Sequence, residues 1–188
     1  MANIILASSS PRRRELLQQL GLEFSILSPD IDESILDGES VEGYVERLAC
    51  AKADTILKQH PNAVIIAADT SVAVDQTILG KPESKQHAFE MWDLLSNRKH
   101  DVYTGVCVRT SLEKHSIVVR TQVEFQKLSL QDMEYYWATG EPVGKAGAYA
   151  IQGIAARYIP SIVGSYTNVV GLPLHETVQI LQTVKVLN

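Results

Sequence analysis

The chain has 188 residues, of which 45% are hydrophobic, which suits one globular domain with a substantial core. The chain has 17 Lys and Arg residues and 22 Asp and Glu residues. Its net charge of -5 argues against a protein that binds nucleic acid through its overall charge. Without a signal peptide or an apolar run of membrane-spanning length, we expect a cytoplasmic protein with no membrane partner. Cys50 and Cys107 lack paired-motif spacing and are predicted to be small core residues in a reducing compartment.

The composition favours a globular protein of the α/β or α+β class, and apolar periodicity with capping signals locates its helices and strands. Ser10 followed by Pro11 indicates the start of the first helix, and Ser129 with Asp132 forms a capping-box signature. The predicted strands, in chain order, cover 3–7, 24–27, 63–70, 71–74, 77–79, 102–110 and 117–125. The predicted helices cover 11–20, 40–59, 84–95, 129–140 and 173–185.

The stretch SSSPRRR at residues 8–14 places three arginines where a helix is predicted to begin. A helix N-terminus carries about half a positive charge and unpaired N–H groups, so cations there are unfavourable unless an anion lies among them. Arg13 is in helical phase with three following leucines and is expected to point inward, whereas Arg14 is expected to be solvated and Arg12 to lie at the edge of the buried stripe. The alternative is that the arginines only pair with carboxylates of the segment DIDES at residues 30–34.

Two further cations and two carboxylates favour a phosphate ligand. Lys52 lies on the apolar face of a predicted helix, and Lys81 follows a predicted strand in a short loop. Glu33 lies in the acidic loop, and Asp69 with Thr70 ends an apolar run that is predicted to be a buried strand, with ligands expected at its carboxyl end. A buried aspartate alone is most often a structural acid, but inward cations together with carboxylates are typical of a site for a metal-bridged polyphosphate.

The serines suit the same ligand. Hydroxyl groups of Ser8 and Ser10, with free N–H groups at the helix start, are expected to form a phosphate cradle. The sequence contains no P-loop, nucleophile elbow or zinc-ligand spacing.

Six segments resemble, in order and spacing, the Maf family of nucleoside triphosphate pyrophosphatases: ILASSSPRRRELL, DIDES, AADT, GKP, GEPVGKAGAYAIQG and GSYTNVVGLPL. The resemblance covers essentially the whole chain and implies one domain over 1–188. It implies an α/β fold related to the inosine triphosphate pyrophosphatases, with a long mixed sheet flanked by helices and two lobes around a central cleft. It also implies hydrolysis of a nucleoside triphosphate to the monophosphate and pyrophosphate, with Mg²⁺ or Mn²⁺ as cofactor.

Position by position, the resemblance assigns the phosphate and metal residues to Ser8, Arg13, Glu33, Lys52, Asp69 and Lys81. It makes Asp69 the proton acceptor that activates water and Glu33 a metal ligand. Whether Asp69 also binds the metal stays open, because a metal ligand is a weaker base. The cations Arg13, Lys52 and Lys81 would stabilise charge on the leaving pyrophosphate.

The branch of the family that acts on UTP and dTTP is the most similar, through Arg12, Thr70 and Gln152. A glutamine amide offers a donor and an acceptor to a uracil or thymine edge. The sister branch that acts on 7-methyl-GTP carries Trp, Gln and Glu at these positions. Two alternative functions stay open, a 7-methyl-GTP pyrophosphatase and a nucleotide-binding regulator of septum formation with little turnover, and a homodimer is an assembly that the sequence leaves open.

Overall fold

Within residues 3–187, which the computed structural model describes, seven strands form one mixed sheet in the order β2-β1-β3-β5-β6-β7, with β4 paired to β3. Strand β1 pairs in parallel with β2 and β3, and the other pairings are antiparallel. The strands are β1 (Ile4–Ala7), β2 (Ser25–Leu27), β3 (Val64–Val74), β4 (Thr77–Leu79), β5 (Lys99–Arg109), β6 (Lys114–Glu124) and β7 (Ser161–Val163).

The helices confirm the predicted order of elements. They are α1 (Pro11–Gln18), α2 (Val41–Gln59), α3 (Lys85–Leu95), α4 (Leu130–Ala138), α5 (Tyr166–Val170) and α6 (Leu174–Thr183), with 3-10 helices at Ala146–Ala148 and Ile154–Tyr158. Ser10 caps α1 and Ser129 forms the capping box of α4, as predicted. Strand β7, helix α5 and the two 3-10 helices were not predicted. No helix in the described part of the chain combines the length and apolar character needed to cross a membrane.

The sheet separates two apolar layers because successive side chains of a strand point to opposite faces. On one face, Ile65 and Ala67 of β3 pack in a cluster with α2 residues. On the other face, Ile66 and Ala68 pack in the large core that includes residues of α1, α3, α4 and α6. The same alternation sends the side chain of Asp69 toward α2 and that of the next residue toward α1. Cys107 is buried in the first layer as predicted, and Cys50 is half-buried against it.

The prediction that Asp69 and Thr70 end a strand is wrong. Strand β3 continues through them to Val74, so the two predicted strands over 63–70 and 71–74 are one. The polar residues do not interrupt the strand because β5 pairs with β3 from Ile65 to Ala73. Asp69 and Thr70 therefore lie in the middle of a strand whose backbone position is fixed by its neighbour.

The opposite edge of β3 has a gap beside these residues. Strand β1 pairs with β3 only over residues 64–66, and β4 pairs with it only over residues 72–74. Residues 67–71 of β3 thus have β5 on one side and no strand of the described chain on the other. This gap forms the floor of the cleft that the family resemblance implies.

Helix α2 lies unusually close to the sheet at Gly105, the residue of β5 that pairs with Asp69. A Cβ atom at Gly105 would lie 2.4 Å from the carbonyl oxygen of Val45 in α2. Because a real Cβ atom is not found at that distance, only glycine allows this approach. The close approach brings Lys52, two turns further along α2, against the strand that carries Asp69.

Candidate active site

A cavity of about 530 Å³ opens at the gap between β1 and β4. Its walls include the end of β1, the start of α1, the middle of β3, and β4 with the following loop. Of the predicted site residues, it brings together Ser8, Arg12, Arg13, Glu33, Lys52, Asp69, Thr70 and Lys81. Ser10 also lines it, whereas Gln152 does not.

Arg12 and Arg13 reach from the start of α1 to the end of α5. The Nε atom of Arg13 donates to the carbonyl oxygen of Gly171 at 2.7 Å, and Nε of Arg12 donates to that of Val170 at 3.4 Å. Carbonyl groups at a helix C-terminus lack partners and carry partial negative charge, so they hold the two cations. Neither arginine forms an ion pair within residues 3–187, so the alternative that they only pair with the DIDES carboxylates is wrong. Arg14 is exposed, as predicted.

Arg13 keeps hydrogen-bonding capacity for a ligand. Besides its bond to α5, it donates to the Thr70 hydroxyl at 2.9 Å and to the Ser8 hydroxyl at 3.5 Å. A guanidinium group has five N–H donors, so two remain. Burial lowers the pKa of Arg13, although the charge of Asp69 opposes this shift. A desolvated cation with free donors is a strong site for an anion.

The hydroxyl groups of Thr70 and Thr104 form a hydrogen-bonded chain that ends on Arg13. Thr104 donates to the carbonyl oxygen of Asn168 at 2.9 Å, so Thr70, 2.9 Å from Thr104, must donate to it while accepting from Arg13. The Thr104 and Asn168 residues are fully buried. The Thr70 hydroxyl proton is therefore donated to Thr104 and is not available to a ligand.

The amine of Lys52 joins the two carboxylates. Its Nζ atom lies 2.6 Å from Oδ1 of Asp69 and 2.6 Å from Oε1 of Glu33. The side chains of Lys52 and Asp69 are only 11% and 12% exposed, so this pair is almost removed from solvent, whereas Glu33 is 44% exposed. Burial raises the pKa of Glu33, but the hydrogen bond and charge of Lys52 outweigh it, and the pKa lies below its ordinary value. The geometry keeps the Glu33 carboxylate ionised.

Tyr44 is a site residue that was not predicted from the sequence. Its hydroxyl donates to the backbone carbonyl of Glu33 at 2.8 Å, and its ring lines the cavity. Burial, with the charges of Asp69 and Glu33, raises the pKa of Tyr44 to about 12. Tyr44 therefore fastens the acidic loop to α2.

The donor set fits a hard divalent cation that is shared with phosphate. No group of three or more His, Cys, Asp and Glu side chains in residues 3–187 could hold a metal ion. Glu33 and Asp69 are two carboxylates that meet at one point, and Oδ2 of Asp69 and Oε2 of Glu33 have no hydrogen-bond partner in the described chain. Mg²⁺ is commonly held by one or two carboxylates, with substrate phosphates and water completing its shell.

Two further cations, Arg12 and Lys145, line the cavity. Burial lowers the pKa of Lys145, and the charge of Arg12 lowers it further. Lys145 lies in the segment GEPVGKAGAYAIQG, which was the signal that could have identified it. Lys81 is exposed at the rim of the cavity.

Gln152 is exposed in a turn just beyond the cavity wall that ends at Tyr149. The structure therefore does not bring it together with the other predicted residues. Its role in reading a base stays a prediction.

The fold and the cleft define an α/β protein with a cation- and carboxylate-lined site for a phosphorylated ligand. Residues 3–184 match the family described as Maf-like protein, and the chain belongs to this family.

Close relatives cover nearly the whole chain. The dTTP/UTP pyrophosphatase of Acinetobacter baylyi is 67% identical over 97% of this chain and 100% of that protein. The dTTP/UTP pyrophosphatase of Myxococcus xanthus is 50% identical over 95% of this chain and 91% of that protein. The solved structure of the Staphylococcus aureus Ham1 protein aligns with a TM-score of 0.48 and 15% identity over 65% of this chain and 71% of that one.

Proposed function

We propose that this chain hydrolyses UTP and dTTP to the nucleoside monophosphate and pyrophosphate, as a single domain over 1–188 and in the cytoplasm. The observation that carries the proposal is the Lys52 amine, 2.6 Å from the carboxylates of both Glu33 and Asp69 in the cavity that also contains Arg13. Relatives at 67% and 50% identity with the name dTTP/UTP pyrophosphatase support the choice of base.

Asp69 is the proposed general base. Its Oδ1 atom is bound to Lys52, and its Oδ2 atom remains to accept a proton from the water that attacks the α-phosphorus. As the water oxygen bonds to phosphorus, the bond from phosphorus to the bridging oxygen breaks and pyrophosphate leaves with that electron pair.

The remaining cations bind the polyphosphate. Arg13 has two free N–H donors, the Ser8 hydroxyl keeps its own proton for donation, and Lys81 lies at the rim. These groups stabilise the negative charge that develops on the leaving pyrophosphate. Glu33 and Asp69 would hold Mg²⁺ or Mn²⁺, which supplies further neutralisation of phosphate charge when it is bound.

Selection of the base is assigned to the Arg12 side of the cavity. Arg12 lines it, and Gln152 is the amide that would match a uracil or thymine edge. Thr70 is the third residue proposed for base selection, and its hydroxyl accepts from Arg13 and donates to Thr104.

The test is pyrophosphate release from a panel of UTP, dTTP, CTP, ATP and 7-methyl-GTP, with Mg²⁺ or Mn²⁺. We expect UTP and dTTP to be the best substrates and Asp69→Asn to lower kcat at least about 100-fold. Asp93→Asn, in an exposed position on α3, is the matched control and should retain activity. Nucleotide binding without turnover would favour the regulator, and a preference for 7-methyl-GTP would favour the sister branch.

A further inference from the structure

The carboxylate of Glu141, which follows α4, is bonded both to Tyr136 of that helix and to one turn of the chain. Its Oε1 atom accepts from the Tyr136 hydroxyl at 2.6 Å and from the backbone N–H of Ala155 at 3.3 Å. Its Oε2 atom accepts from the N–H of Ile154 at 2.8 Å. The Tyr136 oxygen in turn accepts from the N–H of Ala150 at 3.2 Å. Glu141 and Tyr136 thus hold both ends of the turn 150–155.

The turn is built to receive this carboxylate. A Cβ atom at Gly153 would lie 2.0 Å from Oε2 of Glu141, so any other residue type would displace the carboxylate from this position. Ile154 and Ala155 begin a 3-10 helix whose cap residue, Gly153, has no side chain to satisfy their N–H groups. Burial and the bond to Glu141 raise the pKa of Tyr136, so its hydroxyl stays a donor.

Glu141 and Tyr136 form a clamp on this turn, and the clamp lies beside the cavity wall that carries Arg12 and Lys145. Burial lowers the pKa of both Arg12 and Lys145, and the charge of Glu141 partly offsets each shift. From Lys145 to Tyr149 the chain supplies lining residues of the cavity and then enters the clamped turn. Gln152 is the exposed residue at the centre of that turn.

We propose that Glu141 is a positioning residue that, with Tyr136, fixes the turn 150–155 and so determines how Gln152 meets the base. The inference rests on the proposed function, in which Gln152 reads the pyrimidine edge. Glu141 touches neither the phosphate cradle nor Asp69, so its effect falls on the choice of base and not on the chemical step.

The test compares kcat/KM for UTP with that for CTP, which differs at the edge in question. Glu141→Gln places an amide nitrogen, which cannot accept a hydrogen bond, against one donor of the turn, and Tyr136→Phe removes the bridge to Ala150. We expect each variant to lower the UTP/CTP ratio at least about fivefold, through a higher KM for UTP, with kcat within about threefold of wild type. Glu134→Gln and Tyr135→Phe, exposed on the same helix, are matched controls and should keep the wild-type ratio.

Gln152→Ala separates the inference from the proposed function. If Gln152→Ala keeps the wild-type ratio, base reading by Gln152 fails and the inference fails with it. If Gln152→Ala lowers the ratio but folded Glu141→Gln and Tyr136→Phe variants do not, only the positioning role is overturned. If the double variant Glu141→Gln/Gln152→Ala discriminates no worse than Gln152→Ala alone, the two residues act through one path, as proposed.

Discussion

Replacing Lys52 with methionine tests the central charge arrangement. The substitution keeps most of the length of the side chain and removes the cation that contacts both Glu33 and Asp69. Removing one partner of a buried ion pair costs about 3 to 5 kcal/mol, because the other charge is left desolvated. Because the Glu33 side chain is 44% exposed, we expect the lower end of this range, about 3 kcal/mol. For a chain of this size that corresponds to a fall in Tm of about 6 to 12 °C.

The loss of stability in Lys52→Met should depend on pH. In the wild type, the hydrogen bond and charge of Lys52 outweigh burial and lower the pKa of Glu33, so the ion pair contributes stability that is present above the ordinary pKa of Glu33 and is lost as the pH falls through the lowered pKa. The deficit relative to wild type should therefore be largest at pH 7 to 8 and smaller near pH 4. Millimolar Mg²⁺ should raise the Tm of Lys52→Met more than that of wild type, because a cation between the carboxylates replaces the missing charge.

Thermal unfolding followed by circular dichroism, at several pH values and with or without Mg²⁺, measures these effects. Lys58→Met, an exposed lysine on the same helix, is the matched control and should change Tm little. A Tm deficit that is the same at pH 4 and pH 8, with no additional gain from Mg²⁺, would show that Lys52 contributes packing and not charge.

Three further outcomes follow from the structure. Arg13→Ala should lower kcat/KM for UTP at least about 100-fold, whereas Arg14→Ala, exposed one residue later, should change it less than about twofold; equal losses would refute the assigned helix phase. Burial lowers the pKa of His100 to about 3. The free energy of unfolding therefore contains the full contribution of neutral His100 above about pH 6.5 and loses it as the pH falls toward 3, with a loss of about 2 kcal/mol at pH 5. His100→Gln should accordingly flatten the decline of Tm from pH 7 to pH 5, and an unchanged slope would contradict this. Gly105→Ala should move α2 away from the sheet, costing about 1 to 3 kcal/mol and lowering kcat together with Tm; full activity would show that the helix position is not needed.

The inward cations could be predicted from the sequence because helical phase alone determines which face a side chain joins. Arg13 and Lys52 both lie where that phase puts them, in contact with polar groups of β3. The partners of the arginines could not be predicted. They are carbonyl groups of α5, a helix of five residues without a clear apolar period, and the sequence gives no signal for backbone acceptors that are distant along the chain.

Strand boundaries showed the same limit. Asp69 was placed at a strand end because polar residues usually follow an apolar run, but pairing with β5 carries β3 past them. Gln152 could be assigned a role only by resemblance, since its exposed position has no physical signal of its own. The clamp that holds its turn depends on Glu141 and Tyr136, whose contacts with residues 150–155 become visible only in three dimensions.

The gap beside residues 67–71 of β3 has a consequence for how a nucleotide enters and leaves. Strands β1 and β4 both pair with β3, which β5 supports from Ile65 to Ala73, so widening the gap would require bending a paired strand. The floor of the cleft is therefore preorganised, and little conformational entropy is lost there when the polyphosphate binds. Release of pyrophosphate should accordingly require no hinge motion that widens this gap.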